Sequence, residues 1–442
     1  MRAGFSEQDV TPPVGAYLAG YPGRNEPSTD VADPLYLRTV ALEDDAGGRL
    51  VLVTADLLKL PRDMAWRTKL WCERELGERP ERSPDSASVI INLSHTHSAP
   101  GLFLQRCYPH WPVDREYVCR FEQSVREGIR AALADLQPVR VRFGMHQAHF
   151  GVSRRQPQPD RGGKVTMAAN PDGYYDPDLP VFAFYRSDGP PAAVLYSYAC
   201  HPTSRSSLSI SADWPGQVAQ GLKAELGGDL IPLFAQGAGA SIMPRMRLRD
   251  NPEEYASYWA QVAADLAAFV RSDAMDEIGL GLRAAQSEFI IPYDRELVPS
   301  LDELLELASP EDTPLPDELR PANRSIVRLW ARDMLEALRT GTLPEGFRMH
   351  LTRARLSEGL QLIAMSGEVT AEVGRMIKGM FPDLRTVFLG YCSYTDAYIP
   401  TAAMLPEGGH EALASIYFHE RPAPFVRDID EIIRREVASL EL

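Results

Sequence analysis

The stretch Asn92-Leu93-Ser94-His95-Thr96-His97-Ser98-Ala99-Pro100-Gly101 follows an apolar, β-branched run at 87–91 and ends on a Pro-Gly breaker. Side chains repeat every second residue on an extended backbone, so a strand end would send His95 and His97 out on the same side. On a helix they would diverge by about 200°. Imidazoles at a strand end suit a borderline metal such as zinc, which takes nitrogen, sulfur and carboxylate ligands. The pair is short as a motif. Its weight depends on whether the rest of the chain supplies further ligands.

Three later positions do so by the same logic, each just past an apolar strand. His201 follows 192–199 in Cys200-His201-Pro202-Thr203-Ser204. Glu368 follows 360–364 in Met365-Ser366-Gly367-Glu368-Val369, and Tyr398 follows 385–391 in Tyr394-Thr395-Asp396-Ala397-Tyr398-Ile399-Pro400-Thr401. Sheet folds place ligands outside the carboxyl ends of their strands. Two histidines and a glutamate form a common set for a catalytic zinc with an open position. Singly, His201 also reads as a core imidazole, Glu368 as a charge at a helix amino terminus, and Tyr398 as a packed aromatic. Spacing alone does not assemble them into one site.

Around these positions the pattern predicts a hairpin at 37–42 and 50–54, closed by Asp56. Helices are expected at 62–77, 114–136, 215–226, 252–272 and 322–340, and from 428 to 440. Strands are expected at 139–143 and 230–234, the latter followed by the glycine-rich turn 236–241. Residues 9–34 read as a long ordered loop, 151–178 as a polar surface excursion, and 298–321 as an acidic, proline-broken stretch. Strands alternating with helices, with no repeat and no break in composition, predict one large α+β or α/β domain. Helices would flank mixed β-sheets, with the site at the strand carboxyl ends.

The formal charge of −15, from 61 acidic and 46 basic residues, disfavours nucleic acid or an anionic membrane as partner, since either needs a positive footprint. No apolar run is long enough for stable membrane insertion, and no secretory h-region is visible at the amino terminus. The odd set Cys72, Cys107, Cys119, Cys200 and Cys392 fits neither a metal motif nor a disulfide framework, and predicts reduced thiols in a cytoplasmic protein. A homo-oligomer is compatible with all of this.

Taken together, the motifs resemble the catalytic domain of the neutral/alkaline ceramidase family. The family's opening D-[IV]-T-P-P-x-G corresponds to Asp9-Val10-Thr11-Pro12-Pro13-Val14-Gly15, and its D-P-L-Y-x-R to Asp33-Pro34-Leu35-Tyr36-Leu37-Arg38. Its S-x-D-L appears as Thr54-Ala55-Asp56-Leu57, and its T-H-T-H-S-G-P as Ser94-His95-Thr96-His97-Ser98-Ala99-Pro100. The H-P-T-S, G-E and Y-[IV]-x-T elements match at His201 to Ser204, Gly367-Glu368 and Tyr398 to Thr401. The ordered set runs from residue 3 to about residue 412 and carries more than any member of it. The resemblance implies a zinc amidohydrolase with ligands His95, His201, Glu368 and Tyr398, in which His97 and Arg154 (the family's N-R-S position) face the scissile amide of a small-molecule substrate. Zinc would supply hydroxide at neutral pH, and imidazole and guanidinium donors would stabilise the tetrahedral oxyanion.

Two departures bear on mechanism. The family's G-D-V-S-P turn reads Gly239-Ala240-Ser241-Ile242-Met243-Pro244, with Met243 at the serine position when aligned on the proline. Attack by zinc-activated water is therefore expected, with Ser241 a supporting donor at most. The tyrosine of the family's G-Y-E is His410, a general-acid candidate for the leaving amine because imidazole titrates near working pH, or equally a structural swap. Secreted ceramidases carry a signal peptide and a C-terminal β-sandwich. The expectation here is a bacterial-type, catalytic-domain-only chain over 1–442, whose substrate is an N-acyl or other small amide rather than membrane ceramide. Amide or lactam formation on the same site is the near alternative, and a catalytically silent homologue the distant one.

Overall fold

The computed structural model describes residues 1–21, 24–75, 89–102, 112–309 and 324–442. Outside them lie Cys107, Pro22-Gly23, the last residues of the 62–77 helix, the first of the 87–91 strand, and the second half of 298–321.

Three sheets converge on one core, and each contains one parallel pair. The expected hairpin forms from Tyr36–Glu43 and Arg49–Ala55, and Arg49–Ala55 pairs in parallel with Val89–Leu93. Arg2–Asp9, unassigned from sequence, zips against Tyr36–Glu43 over its whole length. A second sheet runs in the order Ile231–Gln236, Ala193–Tyr198, Asp178–Tyr185, Arg140–Gln147, Asp276–Ile278, and its first two strands are parallel. The third runs Arg283–Pro292, Gly346–Ser357, Leu360–Met365, Arg385–Leu389, and its last two are parallel. Phe5, Val40 and Leu52 from the first sheet meet Phe143, Phe182 and Leu195 from the second and Leu362, Val387 and Leu389 from the third. Burying these apolar faces together is the main stabilising term.

The helices cover the outer faces. Arg115–Ala134, capped by the Asp114 carboxylate on the Tyr117 amide, presents Phe121, Val125 and Ile129 inward. It approaches the first sheet so closely that a Cβ on Gly4 would fall 2.0 Å from the Ala132 carbonyl oxygen. Asp213–Leu226 and Tyr255–Arg271 cover the second sheet, and Ala371–Gly379 and Ile429–Ser439 the third. The result is the single α+β domain with mixed sheets that the sequence predicts.

One expected segment is different. Residues 151–178 are a surface excursion only in part, since Lys164–Asn170 is exposed but the segment begins as a core strand. Gly151–Gln158 is a buried strand, paired with Ile242–Pro244 on one side and Lys164–Asn170 on the other. Its arginines disguised it, because a strand is read from apolar residues and here the buried side chains are charged and paired. No helix among the described residues is long and apolar enough to cross a membrane.

Candidate metal centre

Val89–Leu93, Ile231–Gln236 and Arg385–Leu389 are edge strands of their three sheets, and their carboxyl ends meet. Two buried amides join them. Asn92 Nδ2 donates to the carbonyls of Gln236 (3.1 Å) and Gly390 (2.7 Å), while Asn92 Oδ1 accepts from the Gln236 amide at 2.7 Å. Gln236 Nε2 donates to the carbonyls of Ser94 (3.0 Å) and Cys200 (2.9 Å), the residues before His95 and His201. A satisfied buried network of this kind rigidifies what it joins. Here it fixes the two loops that carry the histidines.

The strand ends at Leu93, and His95 lies at φ +66°, in the left-handed region. The expected extended HxH geometry is therefore absent. A turn, not strand alternation, brings the rings together, with His95 and His97 centroids 5.1 Å apart. Buried Asp213 and Tyr391 also have positive φ, +63° and +55°, and strain of this kind concentrates at functional sites. Asp213 accepts from the amides of Ser204, Arg205 and Trp214, which holds the loop after His201.

The imidazoles are oriented for ligation. His95 Nδ1 lies 2.7 Å from the Leu58 carbonyl and His201 Nδ1 2.8 Å from that of Gly239. A carbonyl only accepts, so each Nδ1 carries the proton and each Nε2 presents a lone pair. Those Nε2 atoms face Glu368 Oε2 at 3.2 and 3.4 Å. All three atoms are buried and lack a hydrogen bond among the described residues. Donors about 2.0–2.2 Å from a shared tetrahedral zinc would stand about 3.3 Å apart, so the residues fit the ion. Burial, then the Arg154 charge, depresses His201 to about 4. Burial would raise Glu368, but the facing imidazoles bring it well below the usual carboxylate range. At pH 7 His201 is thus neutral and Glu368 ionised.

Tyr398 joins through Glu368, since the two are register partners on adjacent short parallel strands. Burial first, then the Glu368 charge, pushes the phenol well above its ordinary value, so it stays protonated without a metal. Arg154 Nη2 donates to its oxygen at 3.2 Å.

His97 is half-buried, while His95 and His201 are fully buried, and a ring nitrogen from each of the three lies within 4.8 Å of the others. Both His97 ring nitrogens lack hydrogen-bond partners among the described residues. Burial, then the neighbouring imidazoles, pushes its pKa well down.

Ser241 is buried beside the site with its hydroxyl directed elsewhere. It donates to Glu372 Oε2 at 2.8 Å and accepts from the Ala371 amide at 3.1 Å, at the start of Ala371–Gly379. His410 packs edge-on to Tyr398 at 4.9 Å. Burial and the Arg154 charge lower its pKa to about 4.

Sequence reasoning missed three neighbours. Tyr391 lies against His95, with centroids 4.6 Å apart. His419 Nε2 is 3.7 Å from Glu368 Oε1. Glu411 pairs with Arg154 and Arg155. Tyr391 had the signal of following a strand end and Glu411 that of following His410, whereas nothing local to His419 marks it.

No protein-family model matches the chain, and no curated protein matches it by sequence. Its structure is similar to that of neutral ceramidase from Pseudomonas aeruginosa, with TM-score 0.70, 18% identity, and coverage of 99% of this chain and 73% of that one. A solved ceramidase complexed with C2 is similar with TM-score 0.71 and 18% identity, over 99% and 74%. The chain therefore adopts a neutral ceramidase-like fold.

Proposed function

We propose that the chain is a zinc-dependent amidohydrolase acting on an N-acyl or other small-molecule amide. The observation that carries this is the convergence of two lone-pair imidazole nitrogens and an ionised carboxylate oxygen, all buried and otherwise unpartnered. Such atoms are costly to bury unless something completes them. In this reading His95, His201, Glu368 and Tyr398 hold the ion. A bound zinc would supply Lewis-acid polarisation of the carbonyl and a water of lowered pKa.

The chain's own groups supply the rest. His97, neutral and with both ring nitrogens buried, offers one N–H to the carbonyl oxygen and one lone pair to a proton. Arg154 adds a fixed positive charge where negative charge develops, a contribution of roughly 3–4 kcal/mol for a well-placed donor. Ser241 spends its proton on Glu372, which supports water rather than the serine as the attacking group. His410 bounds the space beside Tyr398. The 442 residues act as one cytoplasmic catalytic unit on a small molecule, without nucleic acid or membrane insertion, and the −15 charge supports the absence of a polyanionic partner.

Metal analysis of the purified protein beside His95→Ala and Glu368→Ala, followed by a panel of N-acyl amides, tests this. Expected are a single tightly bound zinc in wild type, loss of metal in both variants, and hydrolysis that follows the metal. Wild type without metal, or variants that keep it, would sink the reading.

A further inference from the structure

We infer that Glu411 is a positioning residue that clamps Arg154, made possible by a bulge in the Gly151–Gln158 strand. The inference rests on the reading of Arg154 as the guanidinium that faces the amide.

Successive residues of a regular strand point to opposite faces, yet Arg154 and Arg155 both reach one carboxylate. Arg154 Nε donates to Glu411 Oε1 and Arg155 Nη1 to Oε2, each at 2.8 Å. The register against Lys164–Asn170 shifts between Ser153 and Arg155, and such a bulge re-aims side chains. All three residues are buried, Glu411 at 3% exposure and each arginine at 5%.

The two arginines are not equally dependent on the clamp. Arg155 is also held by Glu407 Oε2 at 2.8 Å and by the Gly408 carbonyl at 3.2 Å. Arg154 has the Tyr398 hydroxyl as its other anchor. Its two contacts use Nε and Nη2, which leaves the Nη1 amino group to meet a substrate oxygen. Without the Glu411 charge, two neighbouring guanidiniums repel, and Arg154 is the one free to turn. The planar, bidentate geometry of arginine makes that orientation matter.

The test compares zinc-loaded wild type, Glu411→Gln, Arg154→Gln and the double variant. Readouts are kcat and KM on the best amide of the panel, zinc content, and n-octylphosphonate binding by calorimetry. Glu407→Gln is the control for loss of a neighbouring carboxylate. Expected for Glu411→Gln are full zinc content, an unchanged KM, and losses of kcat and phosphonate affinity of roughly ten- to a hundredfold, the usual effect of removing an orienting partner. Acting through Arg154, the loss is not additive, so the double variant matches Arg154→Gln. Glu407→Gln keeps the wild-type rate.

Wild-type kcat in Glu411→Gln, or additive losses in the double variant, overturns the clamp and leaves the amidohydrolase reading standing. No turnover and no phosphonate binding in zinc-loaded wild type overturns that reading, and the clamp with it. If Glu411→Gln does not fold, Glu411→Asp keeps the charge but withdraws it by one methylene. The same kcat loss with zinc retained is expected, and an undiminished kcat overturns the clamp.

Discussion

Glu368 and Tyr398 are register partners on two parallel strands of two residues each, Glu368–Val369 and Tyr398–Ile399. Partners on adjacent parallel strands send their side chains to the same face, about 4.8 Å apart. The pair is seated by Gly367 at φ +89°, where an added Cβ would fall 2.9 Å from Ile399 and 3.1 Å from the Ala397 carbonyl oxygen. Tyr398→Phe should therefore leave the strands in place and weaken zinc retention against a chelator, by about ten- to a hundredfold if the phenol oxygen contributes as orienting groups do. Retention equal to wild type, alongside loss in Glu368→Gln, would reduce Tyr398 to a hydrogen-bond partner.

His97 separates two arrangements of the same imidazoles. If it faces substrate, His97→Ala keeps zinc and loses about 10²–10⁴ in kcat, the usual range for a positioned acid–base group. If the three clustered histidines together form the ligand set, the variant loses the metal as well. Metal content measured beside activity decides between them.

Gly20 lies against His97, and a Cβ there would stand 2.5 Å from the ring's Cγ and Nδ1 on a backbone at φ +100°. Gly20→Ala should displace the imidazole, cutting activity toward that of His97→Ala with zinc content intact. The positive φ adds a stability loss of at least about 1 kcal/mol, visible as a lower urea midpoint. Undiminished activity would show that the ring position is not critical.

The Arg154–Glu411–Arg155 cluster sets an acid limit. Burial would raise the Glu411 carboxyl, but the two guanidiniums pull it down to about 2 from the ordinary 4.5. A depressed pKa contributes stability that is fully present above the ordinary value and lost as pH falls through the folded one. The window is thus pH 4.5 down to 2, and the contribution is about 3 kcal/mol. Glu411→Gln should be less stable at pH 7 and show a flatter decline across that window in denaturant titrations. An equal slope in variant and wild type would show that other carboxylates carry the acid sensitivity.

How much of this was legible depends on where each signal lies. The Tyr36–Glu43 and Arg49–Ala55 hairpin, the strands before His95, His201 and Glu368, and the long helices were readable because their periodicities are local. Gly151–Gln158 was not, because Arg154 and Arg155 are satisfied by carboxylates about 250 positions away, at 257 and 252 residues of separation. His419 was illegible for the same reason, since its significance is its 3.7 Å approach to Glu368.

The His95-Thr96-His97 stretch marks the boundary. By itself the sequence determined that metal-capable side chains follow apolar strands, because an apolar run ending in polar residues and a Pro-Gly breaker is a property of neighbouring residues. Tertiary structure decided the rest. It turned His95 to φ +66°, joined three edge strands through Asn92 and Gln236, and set two imidazole nitrogens against one glutamate oxygen. Those contacts link residues hundreds of positions apart, and their geometry follows from how three sheets pack, which no local pattern encodes.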